Sequence, residues 1–225
     1  MKMLFPDASL RSPTAVPGTS DVRDENVYSS CVATNGATGN ITVFTVPRGQ
    51  RTPVLGAGAP AAHQVTQNEL HTNISQSGQL GSAIGDCSIR ALGINVENGW
   101  YNTAAGALNT YGAGQQELSE LLSKTFFQLR IGGKLQIQGP MLFFPASGGI
   151  FGAISTTEAT VTVASQSNGY PGSLRRLKTP ILVARTDTLE GTYGVTGGGT
   201  LIFSADPQPC LVWFNIHALV KGDAR

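Results

Sequence analysis

Few side chains in this 225-residue sequence have the type and spacing that chemistry needs. Histidine, the usual general base near neutral pH, occurs only as His63, His71 and His217. His63 and His71 stand eight residues apart in a polar stretch, a spacing that fits no common zinc motif. Both read as loop histidines. His217 lies in an alternating apolar run and reads as a packed or interface residue, where titration near neutrality would make assembly sensitive to pH. Asp187 and Glu190 in "RTDTLEGTYG" are the best carboxylate pair of the kind that cleaves glycosidic bonds. The Thr and Gly around them favour a turn beside a strand end instead. Cys87 follows Asp86, whose charge raises a thiol pKa and works against a nucleophile. The sequence has no GxxxxGK[ST], no GxGxxG after a strand, no GxSxG and no HExxH. No base, nucleophile and orienting group can be assembled, so the chain reads as a non-enzyme with no metal, cofactor or small-molecule substrate.

Two other groups of residues suggest binding. "GSLRRLKTP" gathers Arg175, Arg176 and Lys178, with Arg185 further along. They could hold phosphates of a genome or of lipid head groups. No aromatic residues interleave as they do in nucleic-acid platforms, which favours a solvated loop or an inter-subunit ion pair. "GPMLFFPASGG" is an apolar burst between Pro140 and Pro145. Proline removes ladder donors, so this is an edge or a corner, and Phe143 and Phe144 serve the core or a contact surface. A small-ligand pocket is a third reading of the same burst.

The elements that must position these groups are mostly strands. Period-two segments recur between Gly- and Pro-rich turns: "NVYSSCVA", "NITVFTVP", "SIRALGINVE", "FFQLRIGGKLQIQG", "ATVTVAS", "TPILVART", "GTLIFSA" and the closing "CLVWFNIHALVKGDAR". The first two flank "TNGATG" and suggest a hairpin. "GQQELSELLSKTF" alone has helical spacing, with Glu early and Lys late, and predicts one short helix. Residues 1–26 hold Pro6, Pro13 and Pro17 and read as an extended arm, leaving 27–225 as the β domain. The pattern predicts an all-β antiparallel sandwich of about eight strands with one inserted helix. The closing strand is apolar on both faces, so it lies either under a second covering layer or against another subunit.

Composition agrees with assembly. Charged residues make up 13% of the chain, about half the usual share of roughly 25%. The net charge of +1 argues against non-specific nucleic-acid binding. No apolar run approaches the roughly 20 residues of a membrane-spanning helix, and the first ten residues do not form a signal peptide. Cys31, Cys87 and Cys210 are widely spaced and read as buried thiols of a chain made inside a cell, with one disulfide between two of them left open.

Taken together, the arm, the eight-strand sandwich, the inserted helix, the low charge and the free cysteines resemble jelly-roll capsid proteins, including those of tailless icosahedral bacteriophages. The resemblance is architectural, spans residues from about 27 to 220, rests on no motif and transfers no functional residue. The chain is short for a double jelly roll and lacks the basic arm common in small RNA-virus shells. The resemblance implies one jelly roll per chain and trimeric or higher homo-oligomers. It also implies a place in the virion, manufacture in the host cytoplasm, and contacts with other virion proteins and weakly with genome or lipid phosphates. On this view Phe143, Phe144, Trp213 and Phe214 serve packing or subunit contacts. A carbohydrate- or receptor-binding β domain of a phage appendage is the alternative, with Trp100 and Tyr101 in "ENGWYNT" as its stacking residues.

Overall fold

Alternation of apolar and polar residues fixes which side of each strand turns inward, and in the computed structural model it builds two facing sheets. The structure describes residues 20–56, 66–79, 86–98, 120–144, 153–157, 160–164, 174–203 and 209–223. The strands are β1 (Ser20–Ala33), β2 (Asn40–Val43), β3 (Val54–Leu55), β4 (Asp86–Asn98), β5 (Thr125–Ile131) and β6 (Lys134–Pro140). They continue as β7 (Ala153–Thr157), β8 (Thr160–Ala164), β9 (Arg175–Val183), β10 (Leu189–Val195) and β11 (Cys210–Asp223). One sheet has the order β3-β1-β11-β4-β9 and the other β2-β10-β5-β6, while among the described residues β7 and β8 pair only with each other.

With the two-residue β3 and the β7–β8 hairpin set aside, eight strands remain. Numbered along the chain, they lie 1-8-3-6 in one sheet and 2-7-4-5 in the other. This is the strand order of a single jelly roll. Consecutive strands therefore face each other across the sandwich more often than they pair. That corrects the expected hairpin: β1 and β2 belong to different sheets, and "TNGATG" carries the chain between layers. The β5–β6 hairpin forms as expected, with Gly132 and Gly133 both at positive φ in its two-residue turn.

β10 was not legible as a strand, because "LEGTYGV" contains two glycines. Their absence of side chains is what lets β10 pair closely with β2. A Cβ on Gly191 would lie 2.6 Å from Val43 Cγ2, and one on Gly194 would lie 2.5 Å from Asn40 Cβ. Conversely, residues 199–203 of the expected strand "GTLIFSA" are irregular. Residues 120–124 are helical and form the end of the predicted helix, the rest of which lies outside the described residues.

The inner faces meet in an aromatic core. Phe214 of β11 stacks on Phe127 of β5 at 5.1 Å, with Tyr193 of β10 edge-on at 5.2 Å and Phe44 at 6.4 Å. Phe144 closes the row against Phe127 at 5.4 Å. Such pairs contribute about 0.5–1.5 kcal/mol each beyond the area they bury.

β11 lies in the middle of its sheet, between β1 and β4. Val212, Phe214, Ile216, Ala218 and Val220 point into this core. Its other face is partly roofed by the chain itself. Residues 66–74 run as a strap over the outer face of β1 and β11. The Gln67 amide donates to the Ser30 carbonyl at 3.1 Å, and the Thr72 hydroxyl donates to the Tyr28 carbonyl at 3.0 Å. Asn73 accepts from the Tyr28 amide at 2.9 Å, and the Tyr28 hydroxyl donates to the Glu69 carbonyl. The Trp213 indole donates to the Leu70 carbonyl at 3.2 Å, beside a small cluster of Val32, Leu211 and Val54. The second apolar face therefore has an intramolecular cover on the half of β11 nearest Trp213.

Candidate interaction surface

Of the residues expected to carry function, Phe143, Phe144, Arg175, Arg176 and Lys178 are placed by the two edges of the sandwich, and Trp213 and Phe214 by the central β11. β9 ends one sheet and β6 ends the other, and among the described residues neither has an outer neighbour. The edges lie side by side, because the Arg175 guanidinium of β9 sits 4.8 Å over the ring of Phe144, just beyond β6. Gly139 makes room for this packing: a Cβ there would lie 3.2 Å from the Phe143 ring and 3.5 Å from Arg175 Nη1.

The basic cluster is split by strand geometry. Arg175 pairs with Leu92 and turns inward, with Nη1 buried and without a hydrogen-bond acceptor. Arg176 pairs with Ala91 and faces outward, and Arg176 and Lys178 are both exposed. Neither forms an ion pair among the described residues. A phosphate could therefore reach Arg176 and Lys178, whereas Arg175 serves the corner.

That corner is the 3-10 turn Met141–Phe143, which divides the apolar burst. Met141 and Phe144 are fully buried, while Leu142 is 63% and Phe143 56% exposed. Phe214 belongs wholly to the core, and Trp213 is half-buried under the strap. Leu182 of β9, which the sequence did not single out, is 57% exposed on the same edge.

The outer face of the larger sheet holds a second feature. Both ladders of β4 shift register around Arg90, between Ile89 and Ala91 on the β9 side and between His217 and Ala218 on the β11 side. The bulge turns Arg90 into a shallow depression lined by Asp24, Glu25, Asn26, His217 and Ala218. Burial lowers the His217 pKa, and the charge of Asp24 partly opposes this. Nothing in the local sequence signals that bulge.

The remaining candidates are structural. Asp187 Oδ2 accepts the Ala184 amide at 2.9 Å and closes the turn before β10, and Glu190 stands within β10. His71 is buried in the strap beside Asn68, and burial lowers its pKa. His63, Trp100 and Tyr101 lie outside the described residues. No cluster of three or more His, Cys, Asp or Glu side chains suited to a metal occurs among the described residues. No helix of the described residues is long and apolar enough to cross a membrane. No protein-family model, curated protein or solved structure matches the chain.

Proposed function

We propose that the chain is a viral structural protein that self-assembles into an icosahedral shell, as a capsid or capsid-associated subunit. The observation that carries this reading is the strand order, 1-8-3-6 facing 2-7-4-5, because shell proteins are among the main users of that order. The step from fold to function is one of analogy, since one fold hosts many activities. Two features of the chain support it. Phe44, Phe127, Phe144, Tyr193 and Phe214 fill the space between the sheets where a jelly roll with an internal ligand would need room. Leu142, Phe143 and Leu182 instead place apolar side chains in solvent along one edge, where a neighbour would cover them.

Self-assembly on this account is geometric: apolar corners and strand edges are buried between copies whose symmetry closes. Residues 20–26 of the expected arm pair with β11 as the first half of β1, so residues 1–19 are what is left to reach neighbouring copies. Arg176 and Lys178 supply weak phosphate contact. Negative-stain imaging of the purified full chain tests the reading. Rings, capsomer-like clusters or closed shells are expected. A uniform field of particles no larger than one folded chain overturns it.

A further inference from the structure

Charge is scarce in this chain, yet it is unevenly placed on the larger sheet. β9 carries Arg175, Arg176 and Lys178 and no acid, with Arg175 turned into the corner and Arg176 and Lys178 exposed, while Lys134 begins the neighbouring edge β6 of the other sheet. Asp86 and Asp187, at the end of β9, are engaged with the backbone amides of Arg185 and Ala184. At the opposite end of the sheet, the first half of β1 carries Asp21, Asp24 and Glu25 with Arg23, a net of −2. Arg23 pairs with Glu25 at 3.1 Å, and Arg90 of β4 lines the same depression as Asp24, which leaves a net of −1 there. β3 pairs only with Val32 and Ala33. The strap likewise engages β1 from Asn26 onward. The acidic half of β1 is therefore an open edge among the described residues, as β9 is.

We propose that copies of the chain meet head to tail across this sheet, the basic β9 edge of one copy against the acidic first half of β1 in the next. The inference rests on the self-assembly reading and names its contact. Three observations select a second copy, and this arrangement of it. Two β9 edges brought together would oppose like charges, which disfavours a two-fold contact through that edge. The pairs β1–β11, β11–β4 and β4–β9 are all antiparallel, so β1 and β9 run in opposite directions. A copy added head to tail continues that alternation at the junction. The exposed Leu142, Phe143 and Leu182 flank the basic row with the apolar and aromatic character of an interface centre. Pro180 and the register shift between Arg176 and Ile181 break the outer rim of β9. Side chains rather than a continuous ladder then carry the contact, and the sheet is kept from open-ended growth. Repetition of such a heterologous contact with rotation closes a ring.

The test is reciprocal charge reversal in the full chain, read by sedimentation velocity. Arg176→Glu with Lys178→Glu reverses one surface, and Asp21→Lys with Asp24→Lys reverses the other. Each pair alone is expected to raise the concentration for half-assembly about tenfold or more, while circular dichroism and thermal melting stay as in the parent. Combining all four substitutions is expected to restore assembly. Raising salt about fivefold should weaken the parent and the fourfold variant alike. Either of two results overturns the contact but leaves the shell reading standing: assembly that persists in both paired variants, or a fourfold variant that stays dissociated. So does loss of single-stranded DNA binding in the edge variant with assembly intact, which assigns the β9 edge to nucleic acid. A parent chain that never assembles overturns both.

Discussion

Cys87 faces Val220 and Val183 in the ladders of β4, and its thiol pKa is pushed up to about 12, first by burial and then by the charge of Asp86. Burial alone pushes Cys31 up as well, and Cys31, Cys87 and Cys210 are all free and buried. Thiolate is the reactive form, so a raised pKa suppresses reaction at neutral pH. A thiol reagent is therefore expected to label none of the three in the native protein at pH 7 and all three in concentrated guanidinium. Rapid native labelling of Cys87 would contradict its burial. The adverse effect of Asp86 was legible from adjacency in the sequence, whereas burial, the larger cause, depends on strand pairing. The same limit applies to the arginines. Adjacent positions in a strand face opposite sides, so Arg175 and Arg176 were bound to diverge, but only the pairing with Leu92 and Ala91 shows which of them turns inward. Arg90 gave no signal at all, because a bulge is set by mismatch between three strands rather than by residue type.

Among the elements, period two located most strands, and the Gly-Gly turn located the β5–β6 hairpin. What alternation left undecided was partnership. Alternation with a Gly-rich turn predicts a hairpin for segments adjacent in sequence, yet in a jelly roll they face each other across the core. β10 was hidden because it buys close approach to β2 by giving up side chains at Gly191 and Gly194. The strap was hidden because it is held by hydrogen bonds to β1 and β11 rather than by its own periodicity. Trp213 is its anchor on β11. Trp213→Ala is expected to cost about 2 kcal/mol, below the 3–5 kcal/mol of a fully buried aromatic because the ring is half-buried. Hydrogen exchange should show the strap amides of Gln67 and Asn73 accelerating more than those of β5. Uniform acceleration through both would show that the strap is no separate cover and unfolds only with the sandwich.

For the whole molecule, the apolar closing strand raised a choice between an intramolecular cover and a neighbouring subunit. The fold answers for one face and for half of the other, through the core and the strap. Leu70 of the strap and Ile202 stay in solvent, as does the β6/β9 side, where Leu142, Phe143 and Leu182 stand beside Arg176 and Lys178. Sparse charge is what suggests assembly in the sequence, but which surface would carry it depends on which strands end each sheet. The most direct measurement is the mass of the purified full chain by light scattering over a wide concentration range. Self-assembly predicts masses that are multiples of 23.5 kDa, rising with concentration and falling as salt screens the β9–β1 contact. A constant 23.5 kDa at every concentration would contradict it and leave the exposed corner without a neighbour.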